Sequence, residues 1–157
     1  WAPLDLEWFE EPLPADDVDG HARLQAGTSI PVAVGESLYS PGQFADYLKR
    51  NACGIVQADV ARIGGITPWL KVAHMAEACN VGIAPHFLME LHLGLVCAVS
   101  NSVWLEYIPQ LDAVARSAVR VADGHAVPSS EPGLGIDWDR ERVDRLTVAG
   151  SVANLGA

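Results

Sequence analysis

Lysine is nearly missing: Lys49 and Lys71 are the only two, and ten basic against twenty acidic residues leave a formal charge of −10. A chain so poor in positive charge has little with which to neutralise a phosphate backbone, so nucleic acid is not an expected partner. No apolar run approaches the roughly 18 residues that a bilayer requires. The richest stretch, Leu88 to Val103, is interrupted by Glu90, His92 and Asn101, so no membrane partner is expected either. The three cysteines, Cys53, Cys79 and Cys97, lack CxxC spacing and sit among apolar neighbours, which predicts buried free thiols and a reducing, cytoplasmic compartment. The GxGxxG fingerprint, the Walker lysine and the Gly-x-Ser-x-Gly elbow are all missing, which argues against nucleotide binding and serine hydrolase chemistry. Gly64-Gly65 reads as a tight turn before a helix. The first residues, Trp1-Ala2-Pro3-Leu4, carry neither an initiating Met nor a positive leader segment, so the expectation is a start cut from something larger.

What is present is a repeat. Apolar runs at Leu4 to Phe9, Pro31 to Gly35, Gly54 to Ala58, Val81 to Ala84 and Val103 to Leu105 read as buried parallel strands. Between them, Asp17 to Ala26, Pro41 to Leu48, Thr67 to Cys79 and Glu90 to Val99 have helical spacing, with Thr67 expected as N-cap and Pro68 at the first helical position. Five strands alternating with four helices predict an α/β fold: about five βα units of a TIM-type (β/α) barrel over residues 1–108. Residues 109–157 read as a C-terminal capping segment, with a hairpin signal at Asp123-Gly124, a turn-rich stretch from Pro128 to Gly135 and a charged, solvated stretch from Arg140 to Arg145. A complete barrel takes roughly 250 residues, so these units are expected to be the second half of a larger one.

Each predicted strand is followed at once by an acid or a histidine: Glu10, Glu36, Asp59, His86 and Glu106, spaced 26, 23, 27 and 20 residues apart. Any one of them is what the cap of the next helix would use. Five in register point to one mouth, because barrel sites are assembled at the C-terminal ends of the strands. Glu10 and Glu36, on adjacent strands, offer the hard oxygens that Mg²⁺ prefers, whereas zinc would want more His or Cys. Glu11 follows Glu10, and period-two alternation allows only one of the two to face inward. Asp59 and His86 end consecutive strands, where a carboxylate can orient an imidazole as a general base. His21, His74, His92 and His125 read as structural or surface residues, with His92 the nearest of them to the mouth. Trp8, Trp69, Trp104 and Trp138 read as core or interface fillers.

Taken in order, Trp8-Phe9-Glu10-Glu11-Pro12, Gly35-Glu36-Ser37, Gln57-Ala58-Asp59-Val60-Ala61-Arg62 with Gly64-Gly65-Ile66-Thr67, Ala84-Pro85-His86-Phe87, Trp104-Leu105-Glu106 and Pro132-Gly133-Leu134-Gly135 resemble the mandelate racemase subgroup of the enolase superfamily. The wording around His86 is most similar to the acid-sugar dehydratases of that subgroup, the talarate/galactarate dehydratases among them. The resemblance implies the C-terminal part of a modified (β/α) barrel that works with an α+β lid. It implies Mg²⁺ held by Glu10 and Glu36, a catalytic Asp59–His86 dyad, and Glu106 and Arg62 toward a small carboxylate substrate, an acid sugar. It also selects Glu10 over Glu11. The family's remaining metal ligand, an Asp, and its second base, a Lys, belong to strands that would precede Trp1. The implied chemistry is removal of the proton α to a carboxylate with loss of water. The alternatives are a racemase or epimerase of a 2-hydroxy acid, and a half-barrel incompetent by itself. A homo-oligomer is expected from the same resemblance.

Overall fold

In the computed structural model, which describes residues 2–117 and 119–148, the apolar run before Gly35 becomes the most deeply buried strand, β2 (Val32–Val34), with all three residues inaccessible. A strand covered on both faces needs apolar side chains pointing both ways, and Val-Ala-Val supplies them. Around it, β1 (Phe9–Glu10), β3 (Ile55–Val56) and β4 (Gly82–Ile83) complete a four-stranded parallel sheet in the order β1-β2-β3-β4. The register runs Glu10↔Ala33, Ala33↔Ile55 and Ile55↔Gly82, so consecutive βα units lie side by side, as the repeat predicts.

The connections are α1 (Val18–Gly27), α2 (Pro41–Lys49) and α3 (Ile66–Ala78), followed after β4 by α4 (Met89–Val96). Ser40 accepts the Gln43 N–H as N-cap of α2, and Pro41 stands at its start, where the missing N–H costs nothing. Asp17 caps α1 through the Gly20 N–H. The start of α3 differs from expectation. Its N-cap is Gly65 at φ 114° and not Thr67, because the Gly64-Gly65 turn at positive φ swings the chain into the helix early. Helices and sheet enclose one apolar core that includes Val32, Val34, Phe44, Tyr47, Val56, Trp69, Val72 and Ile83. Each such side chain stabilises the fold by about 2 kcal/mol relative to exposure. Trp69 is also satisfied at its polar end, donating Nε1–H to the Ala58 carbonyl at 2.9 Å.

Two predicted strands shift. Ala2–Leu4 is a 3-10 turn and Asp5 has φ 50°, so β1 forms only at Phe9–Glu10 and not over Leu4 to Phe9; Pro3 brings no N–H to a ladder. The expected strand at Val103 to Leu105 contracts to a single parallel bridge between Ile83 and Ser102, with Val103 N–H donating to the Ile83 carbonyl at 3.0 Å. Val103 and Trp104 are consequently half exposed, so Trp104 fills no core among the described residues. The cysteines divide as well. Cys53 is buried and its thiol is pushed up to about 12 by that burial, whereas Cys79 and Cys97 are exposed free thiols at the C-terminal ends of α3 and α4, contrary to the expectation that all three are buried.

Beyond the bridge, β5 (Arg120–Ala122) and β6 (His125–Val127) form the hairpin signalled by Asp123-Gly124, whose two residues have φ 50° and 77°. The charged stretch becomes an exposed helix, α5 (Arg140–Leu146), capped by Asp139. The end of the expected capping segment, 149–157, lies outside the described residues. Among those described, no helix is long and apolar enough to cross a membrane.

Candidate functional site

The site is built where the strands stop. After β2 the chain passes through Gly35, where a Cβ would lie 2.5 Å from the Gln57 carbonyl carbon, so only glycine lets it run that close to β3. The next residue is Glu36. After β3, Gln57 and Asp59 stand two apart and Asp59 is inaccessible. Its Oδ1 accepts the backbone N–H groups of Ala61 at 2.7 Å and Arg62 at 3.4 Å, a local turn that leaves Oδ2 free to face elsewhere. Oδ2 meets His86 Nδ1 at 3.0 Å. The other ring nitrogen of His86, Nε2, lies 3.6 Å from Glu36 Oε2. Arg62 closes the group: Nη1 donates to the Glu36 carbonyl at 2.7 Å, Nη2 to Glu36 Oε1 at 3.2 Å, and Nε lies 3.8 Å from Asp59 Oδ2. Residues from three strand ends, Glu36, Asp59 with Arg62, and His86, are thus brought together.

Glu10 and Glu106 are held by other partners. Glu10 Oε2 accepts Gln57 Nε2–H at 2.8 Å and Trp8 Nε1–H at 3.4 Å. Reaching from β1 past β2 to the end of β3, Glu10 lies on the same side of the sheet as Gln57. Glu106 accepts a short hydrogen bond from the Phe87 N–H, which ties it to the His86 loop. Glu11 turns away and serves the fold. Its carboxylate accepts Ser37 Oγ–H at 2.7 Å and the N–H groups of Ser37 at 3.0 Å and Gly35 at 3.3 Å. Burial would raise its pKa, but the Ser37 and Gly35 hydrogen bonds outweigh burial and hold it below the ordinary value. A lowered carboxyl stabilises the fold above its unfolded pKa, and that contribution disappears as pH falls through the folded value. Glu11→Ala is therefore expected to cost about 2 kcal/mol near neutral pH. Urea unfolding of both proteins at about pH 7 and about pH 3 should show the difference shrinking in acid.

Three participants are given no site role by the sequence. Gln57 sits two residues before Asp59, and period-two alternation carried on past the end of β3 is a signal that would have found it. Ser37 has no such local signal, and His92 reads in sequence only as a structural residue near the mouth. His92, on α4, is fully buried; its Nε2 lies 2.9 Å from the Val60 N and its Nδ1 2.9 Å from the Phe87 carbonyl. Burial lowers the His92 pKa, against the opposing influence of the Phe87 hydrogen bond and the Asp59 charge. A separate cavity of about 260 Å³ lies between α4 and the β5–β6 hairpin, lined by Glu90, Leu93, Arg120 and Leu134 and by none of the strand-end residues.

Glu10 and Glu36 are hard oxygen donors at successive strand ends, and beside Glu10 the Gln57 Oε1 is buried without a hydrogen-bond partner among the described residues. Oxygen donors of this kind fit Mg²⁺, which binds through one or two carboxylates and completes its octahedron with water and substrate. Among the described residues no group of three His, Cys, Asp or Glu side chains could hold a metal ion, so Glu10 and Glu36 would supply part of the coordination shell.

With this geometry in hand, comparison with known proteins is specific. The model of the enolase C-terminal domain-like family matches residues 1–143. The L-talarate/galactarate dehydratase of Salmonella typhimurium is 40% identical over 132 residues, covering 84% of this chain and 33% of that protein. The crystal structure of L-talarate dehydratase from Polaromonas sp. JS666, complexed with Mg and L-glucarate, superposes with a TM-score of 0.86 at 37% identity over 90% of this chain and 40% of that one. A racemase from Streptomyces coelicolor with bound magnesium gives 0.89 at 33% identity, over 94% and 41% of the two chains. This chain spans one third to two fifths of the length of these relatives.

Proposed function

The chain belongs to the enolase C-terminal domain-like family, and from that premise we propose that the full protein is an Mg²⁺-dependent acid-sugar dehydratase. It removes the proton α to a carboxylate and expels the hydroxyl from the neighbouring carbon as water. The observation that carries this reading is the Asp59–His86 pair at 3.0 Å, with the second ring nitrogen of His86 turned toward Glu36.

Asp59 orients the imidazole from its Nδ1 side, so Nε2 is the atom that takes up or delivers a proton. In a dehydration the Cα–H electron pair forms the new double bond, the β C–O bond breaks, and the departing hydroxyl collects a proton. His86 serves either as the abstracting base or as the acid on the leaving group, according to the stereochemistry of the substrate. The enol so formed tautomerises to a 2-keto-3-deoxy acid. Glu10 and Glu36 would hold Mg²⁺, which when bound spreads the charge of the ene-diolate, the general pattern of enolase-superfamily sites. Arg62, with its guanidinium against Glu36 and Asp59, steadies both carboxylates and adds positive charge where a substrate carboxylate would approach. Glu106, held by the Phe87 N–H beside His86, would meet the substrate from the His86 loop. Free thiols at all three cysteines accord with a reducing, cytoplasmic setting.

The test is to incubate the full protein with galactarate, L-talarate and L-glucarate and to trap keto products with semicarbazide. A product that requires Mg²⁺ and disappears with EDTA is the expected result. The likeness to the Streptomyces coelicolor racemase favours a second reading, a racemase or epimerase. It would exchange the α-proton with solvent deuterium and yield no keto acid, and that outcome would replace dehydration.

A further inference from the structure

We propose that His92 is a positioning residue whose imidazole ties the loop carrying Asp59 to the loop carrying His86 and thereby sets the spacing of the pair. This rests on Asp59 and His86 being the working pair. A backbone N–H can only donate, so the 2.9 Å contact from Val60 requires a bare, accepting Nε2 on His92. The proton then resides on Nδ1 and is donated to the Phe87 carbonyl, also at 2.9 Å. Val60 is the neighbour of Asp59, and Phe87 is the neighbour of His86. One neutral ring in one tautomer therefore spans the two loops, and both of its nitrogens are used.

The surroundings show why a tie is needed at this place. Phe87 and Leu88 have φ 60° and 28°, left-handed backbone that side chains rarely adopt, so the turn after His86 persists only where its polar groups are held. Both ends of Phe87 are held: its N–H donates to Glu106 and its carbonyl accepts from His92. The Asp59 segment is clamped likewise. Trp69 on α3 donates to the Ala58 carbonyl, and His92 on α4 accepts from Val60, one residue to either side of Asp59. The two aromatic rings pack on each other with centroids 6.0 Å apart, which couples the clamps. A histidine that merely filled the core would not need both ring nitrogens on the two peptides that flank the dyad.

In the full chain, His92→Phe keeps a ring against Trp69 and removes both hydrogen bonds. Loss of the spacing is expected to lower kcat about 100-fold, with KM little changed. In proton NMR, the Nδ1–H of His86 that faces Asp59 should lose its downfield resonance. His92→Gln restores an acceptor for Val60 and should recover part of both. If His92→Phe retains the His86 resonance and kcat within about twofold, the positioning role is overturned while the dehydratase reading stands. If His86→Asn retains turnover, His86 leaves the mechanism and the premise of a working Asp59–His86 pair falls instead, and His92 is judged by the His86 resonance alone. Should neither His92 variant fold, the wild-type ring decides. Nitrogen NMR is expected to show Nδ1 protonated and Nε2 bare from about pH 5 to pH 8, and the opposite tautomer or a titrating ring overturns the inference.

Discussion

Replacing His86 with Asn is expected to lower turnover about a thousandfold or more while leaving Mg²⁺ affinity nearly unchanged. That loss corresponds to about 4 kcal/mol of transition-state stabilisation, the share that a positioned acid or base supplies. The two measurements separate because the groups are distinct: His86 is bonded to Asp59, whereas the metal-binding candidates are Glu10 and Glu36. Glu36 keeps its Arg62 contacts in the variant, so its orientation survives. Asp59 keeps the Ala61 and Arg62 N–H groups on Oδ1 and the Arg62 guanidinium near Oδ2, so the fold should tolerate the change. Turnover read from the semicarbazide adduct, and Mg²⁺ titrated by calorimetry, check both halves. Turnover that survives removes His86 from the mechanism.

Asp59→Asn is the second large effect, and its direction follows from hydrogen-bond polarity. The N–H groups of Ala61 and Arg62 already point at one oxygen of residue 59, so an asparagine must place its own oxygen there. Its NH₂ is then forced toward His86 Nδ1, 3.0 Å away, which must switch from donor to acceptor. The ring proton moves to Nε2, and the nitrogen facing Glu36 loses the lone pair that proton abstraction requires. Wrong-tautomer substitutions of this kind cost about 10⁴-fold in carboxylate–histidine–serine triads, and a loss of about 10³ to 10⁴ is expected here. The fold should be nearly unaffected, since the exchange is isosteric, the Ala61 and Arg62 N–H groups and His86 keep partners, and only the 3.8 Å contact with the Arg62 guanidinium is lost. An activity profile against pH, with circular dichroism on the same samples, tests it. Near-normal kcat in the Asp59→Asn variant would mean that Asp59 does not select the tautomer.

Much of this was legible before any coordinates. The period of apolar runs and turns yields the consecutive parallel units, because a buried strand and the helix after it are specified by residues within a few positions of each other. Ser40-Pro41 and Asp123-Gly124 announce their helix and hairpin by local chemistry alone. The acid or histidine after each strand marks the mouth for the same reason. A local signal misleads where the backbone around it competes. Thr67 is a good cap, yet two glycines at positive φ start the helix before it. Cys79 and Cys97 have apolar neighbours in sequence, yet they close helices whose ends face solvent.

By itself, then, the sequence determined the α/β class, the order of its units and the acid or histidine that follows each strand. Only the tertiary structure decided which of them touch. Glu11 was separated from Glu10 by contacts to Gly35 and Ser37, 24 and 26 residues away. Gln57 was joined to Glu10 across 47 residues and His92 to Val60 across 32. Such pairings depend on strand register and side-chain direction, and a slip of one residue would send every side chain to the opposite face. Spacing along the chain carries topology; contacts over 24 to 47 residues exist only once that register is set.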